Sequence, residues 1–314
     1  MPNEDKQTTN YVVMVRPDSF GFNSQTAETD VFQHDLSSDG VSYSQVRDLA
    51  LREFSNMQKT LNDNGINVLV LPSRTDKITP DAVFPNNWFS HHADGTLVVY
   101  PMLTANRRDE RQIEKLVELL KTSGIAVKNT LDITAEENSG GILEGTGSLV
   151  LDRVHKVAFV ISSPRSDQAT AEMWAKRMGY ELIYLHAYDD SKRPLYHTNV
   201  VMNIGDKFAI TCPESITDEG ERKIFLDKLT DLGKEIITIT IEQVYHFCGN
   251  VLELKNNEGE SLIIVSENAY NAFTEDQKLK LSNYGKIIPI AIPTIEKVGG
   301  GGVRCMMAEV FMNA

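Results

Sequence analysis

Residues Ser166–Leu185 read SDQATAEMWAKRMGYELIYL. A Ser and an Asp stand where a helix start is capped, and apolar residues follow at i, i+3 and i+4 spacing. Gly179 then stops the pattern, and a run of β-branched, aromatic and aliphatic residues opens. Helix, glycine, buried strand is the unit, and it recurs. Gly65 precedes INVLVL (Ile66–Leu71), Gly124 precedes IAV, Gly233 precedes KEIITIT and Gly285 precedes KIIPIAI. The five glycines are 59, 55, 54 and 52 residues apart. A spacing this regular marks an internal repeat, which outranks the two-domain expectation from length alone. All five glycines are expected to be helix stops at left-handed backbone positions.

The segments before the glycines are amphipathic: SQVRDLALREFSNMQKTLNDN, RRDERQIEKLVELLKTS, the stretch already quoted, TDEGERKIFLDKLTDL and TEDQKLKLSNY. Ahead of most of them come two short strands, turning at Asp94-Gly95, Gly205-Asp206 and Asn256–Gly259. The unit is therefore strand, strand, helix, strand, with first strands expected near Trp88, Ser148, Val200, Val251 and Val303. After Val303 only about one strand remains, and YVVMVRP (Tyr11–Pro17), the first helix and INVLVL supply what the fifth unit lacks. A C-terminal strand beside an N-terminal one would close a ring and remove sheet edges. The expectation is a single α/β domain over residues 1–314, built as five ββαβ units about a pseudo-fivefold axis. A doubly wound sheet is the competing fold, but it does not require this period.

Of 314 residues, 31 are basic and 44 acidic, a formal charge of −13, and 41% are hydrophobic. That composition suits a soluble globular protein and disfavours nucleic acid and membrane surfaces as partners. The stretch Met1–Asn10 is polar, with no signal-peptide pattern, and no apolar run reaches 18 residues, so a cytoplasmic location is expected. Cys212, Cys248 and Cys305 are odd in number with no CxxC spacing, which fits neither a disulfide framework nor zinc. The pair His91-His92 lacks a ligand spacing and is expected to be an exposed strand end. Tyr245–Cys248 reads as strand packing, His155 and His186 as surface or turn residues, and Trp88 and Phe89 as core.

If the units share an axis, the segments leading into their first strands converge on one pocket. These are Phe84–Trp88 (FPNNW), Leu143–Gly147 (LEGTG), Tyr196–Asn199 (YHTN), Cys248–Asn250 (CGN) and Gly299–Cys305 (GGGGVRC). Four glycines before a strand mark a chain that needs unusual dihedrals or a close approach. A cysteine nucleophile needs a lowered pKa or an adjacent base, so Cys305, His197 and Glu144 form a candidate set.

The order FPNNW, LEGTG, HTN and GGGVRC resembles the penteins, the guanidino-group-modifying enzymes that include arginine deiminase, dimethylarginine dimethylaminohydrolase and the amidinotransferases, and within them the citrulline utilization hydrolase branch. The resemblance spans essentially the whole chain and implies a fivefold ββαβ propeller. It also implies Cys305 as nucleophile, His197 as general acid/base and Glu144 as the carboxylate orienting it. It places Asn87 and Asn199 where relatives grip the substrate with acids, Asp81 at the substrate's amino group, and Arg107 and Arg165 at its carboxylate, with Asn86 the alternative to Asn87. Asparagine in place of paired acids favours a neutral ureido group over a guanidinium. The expected activity is C–N bond hydrolysis in the tail of a free amino acid, citrulline first, giving ornithine and carbamate through a covalent Cys305 adduct. No metal or cofactor is expected, and the partner is the small-molecule substrate; a homo-oligomer is compatible with the sequence. An amidinotransferase, a dimethylarginine hydrolase or a binding module on the same fold are the alternatives.

Overall fold

A computed structural model describes residues 6–312, so the first half of the polar stretch, Met1–Asp5, lies outside the described residues. Five three-stranded sheets repeat one connection. In the first, β1 (Tyr11–Val15) runs parallel to β2 (Asn67–Leu71). The next four are β3 (Phe89–His91), β4 (Thr96–Val99) and β5 (Asn129–Asp132); β6 (Val150–Asp152), β7 (Val157–Ile161) and β8 (Glu181–Leu185); β9 (Met202–Ile204), β10 (Phe208–Thr211) and β11 (Glu235–Thr238); and β12 (Leu252–Lys255), β13 (Ser261–Ser266) and β14 (Lys286–Ile290). In each of these four the first strand is antiparallel to the second and the second parallel to the third, across a helical crossover. The last strand, β15 (Ala308–Val310), pairs antiparallel with β1, Tyr11 opposite Val310, and so completes the first sheet from the other end of the chain. First strands abut around the axis, β15 against β3 and β9 against both β6 and β12. The fold is the fivefold α/β propeller that the repeat predicts.

The crossover helices form where capping and amphipathic pattern agree. Ser42 and Gln45 make a reciprocal capping box on Tyr43–Asp63, Asp167 caps Gln168–Met178, Asp218 caps Glu219–Asp231, and Thr274 with Gln277 caps Glu275–Ser282. Their apolar faces and the fully buried β7 and β10 make the cores between sheets, with Trp174, Phe159, Phe208 and Phe225 among the largest enclosed side chains. The Trp88 and Phe89 rings meet in the core at 4.6 Å, tilted by 56°, and His155 and His186 sit half-exposed beside Asp152 and Glu221.

Several expectations are corrected. Gly65, Gly124, Gly179 and Gly233 stop helices at φ between 70° and 80°, but Gly285 does not have positive φ. Gly285 is needed for a different reason: a Cβ there would stand 2.6 Å from the Ser261 carbonyl. The second helix is interrupted, Ala105–Arg108 being separate from Ile113–Thr122. His91 and His92 are buried: His91 Nδ1 accepts from Phe311 N and its Nε2 lies 3.2 Å from the Ala126 carbonyl, pinning the end of β15. Tyr245 ends a short helix, Ile241–Tyr245, and is not in a strand. The first strands of all five units begin one to five residues later than expected, and in four of them the lead-in segments coil into helical turns, Pro85–Asn87, Gly145–Ser148, Thr198–Val201 and the turn at Val303–Met306. The first of the four glycines accordingly ends a helix, Pro293–Gly299, and the other three lead into the turn at Val303–Met306 rather than straight into a strand.

Candidate active site

Three of the lead-in segments, Phe84–Trp88, Tyr196–Asn199 and Gly299–Cys305, line one small cavity together with Asp30, Asp81, Arg107 and Arg165. Each turn exists because small residues let backbones close in on one another. Gly145 has φ +44°, and a Cβ on it would sit 2.3 Å from the Asn86 carbonyl. A Cβ on Gly147 would collide with Asn87 Nδ2 at 2.3 Å and His197 Nδ1 at 2.8 Å, so the EGTG segment is what allows His197 and Asn87 to approach. Thr198 holds the HTN turn, donating to the Ser148 carbonyl at 2.5 Å and accepting from Ile161 N at 2.9 Å.

His197 Nε2 lies 2.9 Å from Glu144 Oε2, and both residues are at least 98% buried. Glu144 Oε1 accepts from Leu103 N at 3.1 Å, and Arg165 Nη1 stands 3.7 Å from Oε2. Burial would raise the Glu144 carboxyl, but Arg165 and the His197 hydrogen bond outweigh it and hold it at about 2. Burial pushes the His197 imidazole down to about 4 against the pull of Glu144. At neutral pH the pair is therefore carboxylate and neutral imidazole: Nε2–H donates to Glu144, and Nδ1 is left as a base.

Cys305 is 2% exposed and lines the same cavity. Its Sγ accepts from Asn250 Nδ2 at 3.2 Å and Asn199 Nδ2 at 3.4 Å. Burial pushes the thiol up, opposed by the Asn250 hydrogen bond, the Arg304 charge and Asn199. Of the two routes to an active cysteine, a lowered pKa is absent and a neighbouring base is present.

Asn87 Oδ1 accepts from Arg107 Nη1 at 3.0 Å, which fixes the amide and leaves Nδ2 without a partner among the described residues. Asn199 is the complement, since Nδ2 donates to the sulfur while the buried Oδ1 has none. Asn87 lines the cavity; the Asn86 side chain is buried next to it, its amide unpartnered. Asp81 Oδ2 accepts from Asn23 at 2.7 Å and Thr26 at 3.2 Å, and its buried Oδ1 is unpartnered. Arg107 is gripped at both Nε and Nη2 by Glu110, 2.9 and 3.1 Å. Arg165 donates from Nε and Nη2 to Thr29 Oγ1 and from Nη2 to the Thr26 carbonyl, and its guanidinium lies 4.8 Å over the Tyr196 ring. Of the expected residues, Cys305, His197, Asn87, Asp81, Arg107 and Arg165 line the cavity, while Glu144 and Asn199 stand one contact behind, on His197 and on the Cys305 sulfur.

It also adds residues that the sequence reading passed over. Asp30 lies 3.8 Å from Arg165, and burial lifts its carboxyl to about 7 despite that arginine. Tyr196 donates to the Gly300 carbonyl, and Gly300, at φ +70°, leaves room for the Asp30 carboxylate. Asn250 stood in one of the five lead-in segments, which was the available signal; Asp30, in a turn-rich stretch outside the repeat, gave none.

A family model described as N,N dimethylarginine dimethylhydrolase, eukaryotic, matches residues 16–312. The chain belongs to this family. It is thus a pentein of the class whose enzymes act on C–N bonds of guanidino groups through a cysteine. Among solved structures, the substrate-bound N-terminal domain of ArgZ, an arginine dihydrolase from the ornithine–ammonia cycle in cyanobacteria, superposes with TM-score 0.72 at 14% identity over 96% of this chain and 98% of that one. AgrE with ornithine and NAD+ gives 0.72 at 18% identity over 97% of this chain, which spans only 40% of AgrE. A citrulline complex of the Pseudomonas aeruginosa dimethylarginine dimethylaminohydrolase gives 0.62 at 14% over 96% and 99%. At these identities the likeness is one of fold. No curated protein sequence matches the chain.

Proposed function

We propose that this protein hydrolyses a C–N bond in the ureido tail of a free amino acid, citrulline first. One observation carries the reading. The two positions expected to grip the reacting group offer one free N–H donor, Asn87 Nδ2, and one free acceptor, Asn199 Oδ1. A ureido group has one carbonyl to accept and N–H groups to donate, whereas a guanidinium has donors only and brings a charge that two amides do not neutralise. Arg107, already on Asn87, adds to the disfavour.

In this reading His197 Nδ1 takes the Cys305 proton and Sγ attacks the ureido carbon. The imidazolium, stabilised by Glu144, returns the proton to the departing δ-nitrogen, releasing ornithine and leaving an S-carbamoyl cysteine. Water deprotonated by His197 then cleaves the C–S bond, giving carbamate and the thiol. Asp81, with its free Oδ1, takes the substrate ammonium. Arg165 and Arg107 face the carboxylate, and the greater share falls to Arg165, since Glu110 occupies the Arg107 fork.

A dimethylarginine or arginine hydrolase is the second reading, favoured by the family match and by the buried Asp30 and Asp81 in the cavity. A product screen over citrulline, arginine, dimethylarginine and agmatine, quantifying ornithine, ammonia and urea, tests both. Citrulline is expected to lead and agmatine, lacking the carboxylate, to be poor; a preference for arginine or dimethylarginine over citrulline overturns the ureido assignment.

A further inference from the structure

Four of the five lead-in segments supply a residue to the proposed chemistry: Asn87, Glu144, His197 with Asn199, and Cys305. The remaining one, Cys248–Asn250, carries the residue nearest the sulfur in hydrogen-bond terms. We infer that Asn250 is a further catalytic residue, whose amide N–H holds the Cys305 sulfur as its negative charge develops. The inference rests on the reading of Cys305 as nucleophile.

The Asn250 amide is 1% exposed and its orientation is fixed from both sides. Its Oδ1 accepts from Arg304 N at 3.1 Å, and its Nδ2 donates to the Asn199 carbonyl at 2.9 Å. A backbone N–H and a backbone carbonyl cannot exchange roles, so the face toward the sulfur at 3.2 Å is necessarily an N–H. The residue is carried there by a strained turn: Phe247 has φ +61°, and Asn250 N closes on the Phe247 carbonyl at 2.8 Å. Gly302 completes the fit, because a Cβ on it would stand 2.7 Å from Asn250 Oδ1. The side chain therefore docks the Gly302–Cys305 turn and aims a donor at Sγ with one set of bonds.

A neutral thiol gains little from such a donor, while a thiolate gains a charge-assisted hydrogen bond. The stabilisation thus grows as His197 removes the proton, which is what accelerates a step rather than only binding its reactant. The Asn199 amide points at the same sulfur, but from a longer 3.4 Å and with its buried oxygen unpartnered among the described residues. The division of labour is that Asn250 serves the nucleophile and Asn199 serves both. The other charged and titratable groups around the sulfur, Arg304 next to it and Arg107, Arg165, Asp30 and Asp81 around the cavity with His197 and Tyr196, are the same in wild type and in Asn250→Ala, while Asn250→Asp adds a carboxylate.

The test is thiol titration by iodoacetamide, with and without turnover measurements, in a Cys212→Ser, Cys248→Ser background where Cys305 is the sole thiol. Asn250→Asp keeps the size and the acceptor for Arg304 but sets an oxygen toward the sulfur; Asn250→Ala removes the donor. The alkylation midpoint is expected to move to higher pH by about one pH unit in Asn250→Ala and further in Asn250→Asp, with kcat falling about tenfold and about a hundredfold. Retained melting temperature marks a folded variant, and if alanine does not fold, aspartate carries the test. A folded variant with the wild-type midpoint overturns the inference. Turnover surviving in Cys305→Ser instead overturns the reading of Cys305 itself, and the two failures are told apart because the midpoint is read without substrate.

Discussion

Cys248 and Cys305 occupy lead-in segments of neighbouring units, and both are at least 98% buried. Burial raises both thiols, Cys248 to about 12. Their surroundings differ. Cys248 sits in an apolar cluster with Phe247, Ala269 and Phe273, and among the described residues its sulfur hydrogen-bonds the Ala269 carbonyl at 3.5 Å, an acceptor that opposes a thiolate. Cys305 has two amide donors on the sulfur and shares a cavity with His197. In the proposed reading, enclosure alone makes a cysteine inert, and directed N–H groups with a neutral base are what would turn the same enclosure into a reactive site.

The largest way to break this contrast is to exchange the sulfurs for hydroxyls. Cys305→Ser is expected to lose about a thousandfold or more in turnover, and Cys248→Ser or Cys212→Ser to keep most of it. A Cys305→Ser enzyme retaining a tenth of wild-type rate would refute the covalent route. Next comes the base. Glu144→Gln should lower kcat about a hundredfold with KM little changed, since Glu144 touches His197 rather than the cavity's free polar atoms. A change confined to KM would move Glu144 into substrate binding.

The amide grip gives a smaller effect. Asn87→Asp places a carboxylate against Arg107 and should shift the ratio of arginine to citrulline kcat/KM about tenfold toward arginine. Adding Asn199→Asp should deepen that shift while costing absolute rate, because an anion then sits 3.4 Å from the sulfur. Selectivity unmoved by both changes would detach the asparagines from the tail.

The pH dependence sharpens the contrast further. With His197 held to about 4 and the thiol raised, kcat/KM is expected to stay level from about pH 5 to 8 rather than fall through the ordinary histidine range near pH 6.5. Neutral-pH alkylation of free Cys305 should be slow, and that of Cys248 slower. Stability carries the matching sign. His197 and His91 are both depressed to about 4, so the unfolded chain binds more protons below pH 6.5. The histidine share of stability is therefore lost as pH falls from 6.5 toward 4, opposed by the buried Asp30 carboxyl raised to about 7, and it is read as a wild-type melting temperature that falls relative to that of His91→Gln over this range.

The sequence by itself determined the repeat and the ring closure, and it singled out Cys305, His197 and Glu144 as candidates. Helix caps, stop glycines and the alternation of helix and strand are properties of a few neighbouring residues, so they survive in a linear reading. The glycine at 285 reads like its four counterparts, yet it is required by the Ser261 carbonyl, 24 residues away in sequence. His91 and His92 read as an exposed strand end because nothing local announces that β15, from the other end of the chain, covers them. Only the tertiary structure decided which way each amide points. Asn87 is turned by Arg107, and Asn250 by Arg304 and Asn199 across sequence separations of about fifty residues. An asparagine carries donor and acceptor alike, so its residue type leaves its role open until partners from other units fix one end and free the other.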